Sequence, residues 1–231
     1  MIVCHKYRFI FLKTNKTAGT SIEIALSRFC GPDDIITPIS PADEMTRQNL
    51  GYRGPQNYLA AWYQYNPRDI FRFLRKGRKK RRFYNHISAK MIKARIGNET
   101  WNNYFKFCIE RNPWDKTVSL YYWKYKKTPQ PPSFSEYIHS DIPLRLKQHG
   151  IDVYTIDGKV VVDRICRYEN LDEELEETRK LLGLPDKLEL PRSKSQFRKN
   201  RKNYRDYYGN EEKSRVSELF ADELRLFDYG F

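Results

Sequence analysis

The chain has 231 residues, enough for one α/β domain to bury a full core without metal or disulfide staples. Its aromatic fraction of 15%, with 17 Tyr, supplies large side chains for that core, and no apolar run approaches the roughly 20 residues that cross a bilayer. The formal net charge of +14 selects polyanionic partners as a class (nucleic acid, anionic membrane, acidic glycan or phosphorylated cofactor) without choosing among them.

Met1 to Lys6 lacks the small-residue cleavage site of a signal peptide, so a cytoplasmic protein is expected. Cys4, Cys30, Cys108 and Cys166 lie far apart, with no C-x-x-C and no His at zinc spacing, and are expected to be reduced and buried. Residues 7–12 (YRFIFL) have the β-branched and aromatic content of a buried strand. A polar turn over 13–20 follows, and then Ile22, Ala25, Leu26 and Phe29 recur with the period of one helical face. Cys30-Gly31-Pro32 is expected to stop that helix. Strand, turn and helix make the first half of a βαβ unit.

Residues 31–85 have no clear period, carry Pro32, Pro38, Pro41, Pro55 and Pro67, and end in a basic run over 75–82. Residues 88–96 are predicted helical, with Ser88 as N-cap and Gly97 as stop. Residues 104–110 (YFKFCIE) form a second buried strand, and Asn112-Pro113 fits an N-cap followed by Pro at the first helical position. Trp114, Val118, Tyr121, Tyr122 and Tyr125 then share a helix face. Residues 153–162 suggest a hairpin turning at Asp157-Gly158, and 164–168 another strand. Asn170 and Glu173 suggest a capping box for a helix bearing Leu171, Leu175, Thr178 and Leu182, and Val216, Leu219, Phe220, Leu224 and Phe227 mark a last helix.

Two segments carry chemistry. Lys16-Thr17-Ala18-Gly19-Thr20-Ser21 lies between the first strand and the first helix, where backbone N–H groups, small residues and hydroxyls make an anion cradle. Gly19 is expected to admit a phosphate close to the backbone, Thr20 and Ser21 to add donors, and Lys16 to neutralise charge on a leaving oxygen. An ordinary glycine turn is the alternative. The Walker A pattern is absent because the lysine precedes the glycine, which argues against a P-loop NTPase. In Arg111-Asn112-Pro113-Trp114-Asp115-Lys116-Thr117-Val118-Ser119, Arg111 leaves a strand end beside a helix start, where its guanidinium can grip a phosphate. Ser119 lies two turns further on, within reach of the same group. A surface ion pair is the plainer alternative for Arg111.

Together these segments resemble the PAPS-dependent sulfotransferases, especially the carbohydrate sulfotransferase branch. Lys16 to Ser21 match the K-T-x-x-T-S loop that in the family binds the 5′-phosphosulfate of 3′-phosphoadenosine 5′-phosphosulfate (PAPS). Arg111, Pro113 and Ser119 match its R-x-P…S element for the 3′-phosphate, and Lys116 stands where the family often has a second Arg. Asn85-His86-Ile87-Ser88 is similar to the segment that supplies a catalytic base. The positive end of the following helix is expected to keep His86 neutral. Arg167-Tyr168-Glu169-Asn170-Leu171, Tyr204 to Tyr208 and Leu226 to Phe231 are similar to other family segments. His5, His139 and His149 have no such setting and are expected to be structural or solvated.

The resemblance implies one sulfotransferase domain over residues 1–231, with a mostly parallel central sheet flanked by helices in a P-loop-like α/β fold. It implies catalytic His86 and Lys16, and a donor site of Lys16, Thr17, Ala18, Gly19, Thr20, Ser21, Arg111 and Ser119. The donor would be PAPS, with no metal, and the acceptor a hydroxyl, expected to be on a carbohydrate and possibly anionic. No nucleic-acid partner is expected. The basic stretch 75–82 suggests a landing site for an acidic glycan or another anionic acceptor, and the stretch 192–205, with Lys194, Ser195 and Arg198, closure over the 3′-phosphate as in related enzymes; solvated loops are the plainer alternative for each. A non-catalytic heparin- or RNA-binding module and a P-loop-type kinase are the rival classes, and neither explains the two phosphate segments occurring together.

Overall fold

Side chains of successive strand residues point to opposite faces, so a strand apolar at every position must be covered on both sides. That is the case in the computed structural model, which describes residues 1–148, 150–191 and 202–231. Strands β1 (Ile2–Cys4) and β2 (Phe9–Leu12) are buried at every residue. Helix α1 (Gly19–Ser27) and strand β3 (Ile35–Ile36) follow, then α2 (Pro41–Asn49), α3 (Pro67–Lys76), α4 (Ala89–Ile96) and α5 (Asn98–Asn103). After them come β4 (Phe105–Glu110), α6 (Pro113–Tyr125), α7 (Phe134–His139), α8 (Asp141–Gln148), and the hairpin β5 (Thr155–Ile156) and β6 (Lys159–Val160). Strand β7 (Arg164–Arg167) and helices α9 (Leu171–Leu181), α10 (Asn210–Leu219) and α11 (Ala221–Phe227) complete the described chain.

Five strands form one sheet in the order β3-β1-β2-β4-β7, with β2 at its centre. β2 pairs parallel with β4 (Phe11 opposite Phe107), and β4 pairs parallel with β7 (Cys108 opposite Ile165). β1 runs antiparallel to both β2 and β3, so four of the five strands share one direction. Phe9, Phe11, Phe107 and Ile109 face a cluster with Ile22, Leu26, Leu175 and Leu184; Ile10, Leu12 and Cys108 face another with Ile87, Ile92 and Trp101. The result is helices layered on both faces of a mixed α/β sheet.

Several predicted elements fall where expected. Ser88 Oγ accepts from the Met91 N–H, Gly97 ends α4, and Asn112 caps α6 ahead of Pro113. Asp157 and Gly158 both have left-handed φ, the signature of a type I′ hairpin turn. Other expectations need correction. The strand expected over 7–12 begins at Phe9 and is preceded by β1, and the first helix stops at Ser27, before Cys30. All nine residues of α1 are buried, so it has no solvent face and the one-face reading was too narrow. Asn170 makes no side-chain cap, because a 3₁₀ turn over Tyr168–Asn170 leads directly into α9. The final helix is two, broken at Phe220. All four cysteines are buried and free.

Candidate active site

The carboxyl ends of β2, β4 and β7 lie side by side, and the segments leaving them meet. After β2, the chain turns through residues 13–18 with left-handed φ at Lys16 (61°) and Ala18 (57°). His86 (59°) is a third such residue, so three of the seven left-handed non-glycine residues of the described chain fall at one place. Strain gathered in this way is held by the surrounding structure and is common at functional sites.

Two carbonyls of this turn are gripped from opposite sides. His86 Nδ1 lies 2.9 Å from the Lys13 carbonyl oxygen, and Arg111 Nη1 donates to the Lys16 carbonyl at 3.1 Å. Because a carbonyl can only accept, His86 Nδ1 carries the proton and Nε2 keeps its lone pair. Burial, joined by the nearby Lys13 charge, lowers the His86 pKa from 6.5 to about 4, opposed by the bond to the Lys13 carbonyl. The leading cause is burial, where the sequence suggested the positive end of the following helix.

Arg111 is buried, and its Nε and Nη2 donate to one oxygen of Asp115 at 2.9 and 2.6 Å. Its guanidinium carbon lies 4.2 Å from the centroid of the Tyr168 ring, which follows β7. The expected ion pair is present, but it sits inside the site rather than on the surface. These bonds use three of the five guanidinium N–H groups. On α6, Asp115, Ser119 and Trp123 recur every four residues and so share a stripe. Asp115 holds Arg111 at one end, and the Lys16 ammonium lies 5.4 Å from the Trp123 ring centroid at the other. Half-buried Ser119 lies between them. Lys16, Arg111 and Ser119, spread over a hundred residues of sequence, thus border one strip of surface.

The remaining loop residues have other surroundings. Thr17 is buried, its Oγ1 2.8 Å from Thr14 Oγ1, while Thr14 donates to the Ile109 carbonyl and ties the turn to β4. Ala18, in the N-cap position of α1, accepts from the Ile22 N–H. Thr20 and Ser21 occupy the first turn of α1. Gly19 has an ordinary negative φ, and a Cβ there would meet Lys13 Cγ at 2.8 Å. Its lack of a side chain makes room for Lys13.

Beneath the turn is a buried ionic cluster that sequence reasoning missed. Glu23 Oε2 accepts from Lys13 Nζ at 2.7 Å, and Oε1 accepts from Thr37 at 2.9 Å and lies 3.2 Å from the Met1 ammonium and 3.8 Å from Arg47. Burial alone would raise the Glu23 pKa, but the Met1 amine, Lys13 and Arg47 together lower it, while burial pulls the pKa of that amine itself down from 8.0 to about 5. Asn85 accepts from Lys13, lies 3.2 Å from the Thr37 hydroxyl and donates to the Pro38 carbonyl, which fixes the backbone next to His86. Apolar periodicity has no signal for a charge on a helix buried all round.

Lys116 stands where the family often has a second Arg. It is buried and paired with Glu110. The 167–171 segment supplies Tyr168 under Arg111, and Glu169, which accepts from the Asn112 N–H at 2.7 Å and from Tyr229 at 3.2 Å. Asn112 also donates to the Gly230 carbonyl at 3.1 Å, so the last residues brace the start of α6. His5 contacts the Tyr104 hydroxyl, and His139 the Ser135 carbonyl and Glu211, away from the turn. Lys194, Ser195, Arg198 and His149 lie outside the described residues. Cys4, Cys30 and Asp34 place their donor atoms within 4.8 Å of one another, but both Asp34 oxygens already accept N–H groups, from His5 and Gly31. No described helix is long and apolar enough to cross a membrane.

A mixed sheet whose adjacent strand ends carry a strained, cation-bordered turn is the architecture of a phosphate-handling α/β enzyme. Comparison with known proteins gives the family: the sequence model of the sulfotransferase family matches residues 1–230, and the chain belongs to that family and is a sulfotransferase. A protein of Archaeoglobus fulgidus, described only as uncharacterized, is 38% identical over 109 residues, which are 45% of this chain and 88% of that protein. The crystal structure of mouse sulfotransferase SULT7A1 complexed with PAP has a TM-score of 0.52 at 16% identity, covering 97% of this chain and 86% of that one, and it shares the fold.

Proposed function

We propose that this protein transfers a sulfuryl group from PAPS to a carbohydrate hydroxyl, at the surface bordered by residues 16–21, His86 and the Arg111–Ser119 segment. The observation that carries this reading is the double hold on one turn: His86 grips the Lys13 carbonyl and Arg111 the Lys16 carbonyl. A general base and two cations are thereby set around a helix N-terminus that suits phosphate. The residues fit the donor. Arg111 keeps two N–H groups beyond its three bonds, and Ser119 lies along the same stripe. The turn and the first residues of α1 (Thr17, Ala18, Gly19, Thr20 and Ser21) would hold the 5′ end, with Arg111 and Ser119 at the 3′-phosphate.

In this mechanism His86 Nε2 takes the proton of the acceptor hydroxyl as its oxygen bonds to sulfur. The sulfur–oxygen bond to the donor phosphate breaks, and its electron pair stays on the phosphate oxygen, where Lys16 and the turn N–H groups meet the charge. The products are a sulfate ester and 3′-phosphoadenosine 5′-phosphate.

Thermal unfolding with that nucleotide, compared with AMP and with ATP plus magnesium, tests the donor site. A ligand at 100 times its dissociation constant adds about 2.7 kcal/mol of stability. The shift is expected only with the 3′-phosphorylated nucleotide and is lost in Arg111→Ala; equal shifts with all three would sink the reading. His86→Ala should keep the shift while turnover falls by about 10²–10⁴-fold.

A further inference from the structure

Helix α3 alone among the described α-helices buries no residue. At 100° per residue, Ile70, Phe71, Phe73 and Leu74 fall in an arc of about 160°, and Arg68, Arg72, Arg75 and Lys76 fall opposite. The apolar arc faces water: Ile70 is 46% exposed, Phe71 63% and Leu74 77%. Trp62, 62% exposed, meets Phe73 edge-on at 5.0 Å and widens the patch, with Tyr63 beside it in the chain. Five of the thirteen exposed large apolar side chains of the described protein thus fall within residues 62–74.

The helix is anchored at its base. Asn66 and Asp69 form its capping box, Asp69 pairs with Lys80 at 2.7 Å, and the Lys80 N–H donates to the Tyr65 hydroxyl at 2.8 Å. Its exposed apolar face is therefore a fixed feature of the fold. Arg68, Arg72, Arg75, Lys76, Arg78, Lys79 and Arg81 are all exposed, and Asp69, the acid of the helix, is already committed to Lys80.

We propose that α3 is an interfacial helix that lays the protein on an anionic membrane surface. Ile70, Phe71, Leu74 and Trp62 would enter the headgroup–acyl boundary, with the flanking cations against lipid phosphates. Charge complementarity selects this occupant. A second copy of the chain, packed apolar arc to apolar arc, would cover Ile70 and Leu74 but leave the cations of the opposite face without anionic partners. A nucleic acid or acidic glycan would satisfy the cations but offer nothing to Ile70 and Leu74. An anionic bilayer accommodates both halves of the helix. This inference rests on α3 and not on the sulfuryl-transfer reading.

The test is co-sedimentation with vesicles of phosphatidylglycerol and phosphatidylcholine, against phosphatidylcholine alone. Wild type is compared with Phe71→Ser/Leu74→Ser and with Arg72→Glu/Arg75→Glu, and all three are expected to melt alike because these side chains are exposed. Wild type should bind the anionic vesicles and release as salt rises, and each double variant should bind about tenfold or more weakly. Failure to bind any vesicle, or unchanged binding by Phe71→Ser/Leu74→Ser, overturns the proposal. So does a dimer that this variant dissociates, or binding to heparin or RNA that matches the vesicles and ignores the apolar substitutions.

Discussion

Lys13 and Lys16 stand three residues apart in the same turn and have unrelated partners. Lys13 is buried against Glu23, while Lys16 lies by the exposed ring of Trp123. Of the two, Lys16 is the one proposed to meet the leaving phosphate. His86 gives a pH signature that does not depend on turnover. Its folded pKa, about 4, lies below the unfolded value near 6.5, so the unfolded chain binds the proton first as pH falls. Stability is greatest above 6.5 and is lost progressively between pH 6.5 and 4, by at most about 3 kcal/mol from this group. Urea denaturation across that range should show a shallower loss in His86→Gln than in wild type. Parallel curves would mean that the imidazole is not held neutral.

At the scale of elements, the β2–α1 connection depends on Gly19 for room. Gly19→Ala should cost about 1–3 kcal/mol, because Lys13 is pinned at Nζ by Glu23 and cannot swing its Cγ aside. The same substitution in a Lys13→Ala background should cost clearly less, and a double-mutant cycle by denaturation measures the difference. The turn, α4, β4, the start of α6 and the Asp157-Gly158 hairpin were all legible, because each carries a local signal in its own residues. Helices α2 and α3 were missed although Ser40-Pro41 and Asn66-Pro67 carry the same cap-and-proline start as Asn112-Pro113. Those prolines read as interruptions but are helix beginnings. Strands β1 and β3, of three and two residues, are too short for any periodicity. Lys16, Arg111 and His86 were legible as candidates, whereas Lys13, Glu23, Asn85 and Asp115 were not. Their roles exist only as pairings between segments that the sequence keeps far apart.

At the scale of the whole molecule, the last residues hold the start of α6. Phe231 packs edge-on against Trp114, Tyr204 and Tyr208 at 5.3 to 5.8 Å, and its carbonyl accepts from Arg205 at 3.0 Å. Phe231→Ala should therefore lower stability by about 2 kcal/mol, read by denaturation. If the brace matters to the site, nucleotide binding should weaken further than this loss of stability explains. The double hold on the turn also bears on the order in which the chain assembles. The Lys13 carbonyl waits for a residue 73 positions away, and the Lys16 carbonyl for one 95 positions away. Contacts this distant in sequence close large loops and form slowly. An early intermediate with β2 and α1 in place would have the turn but neither the imidazole nor the guanidinium that shapes it. On the proposed reading, competence to bind an anion there would arrive only once β4 is docked beside β2.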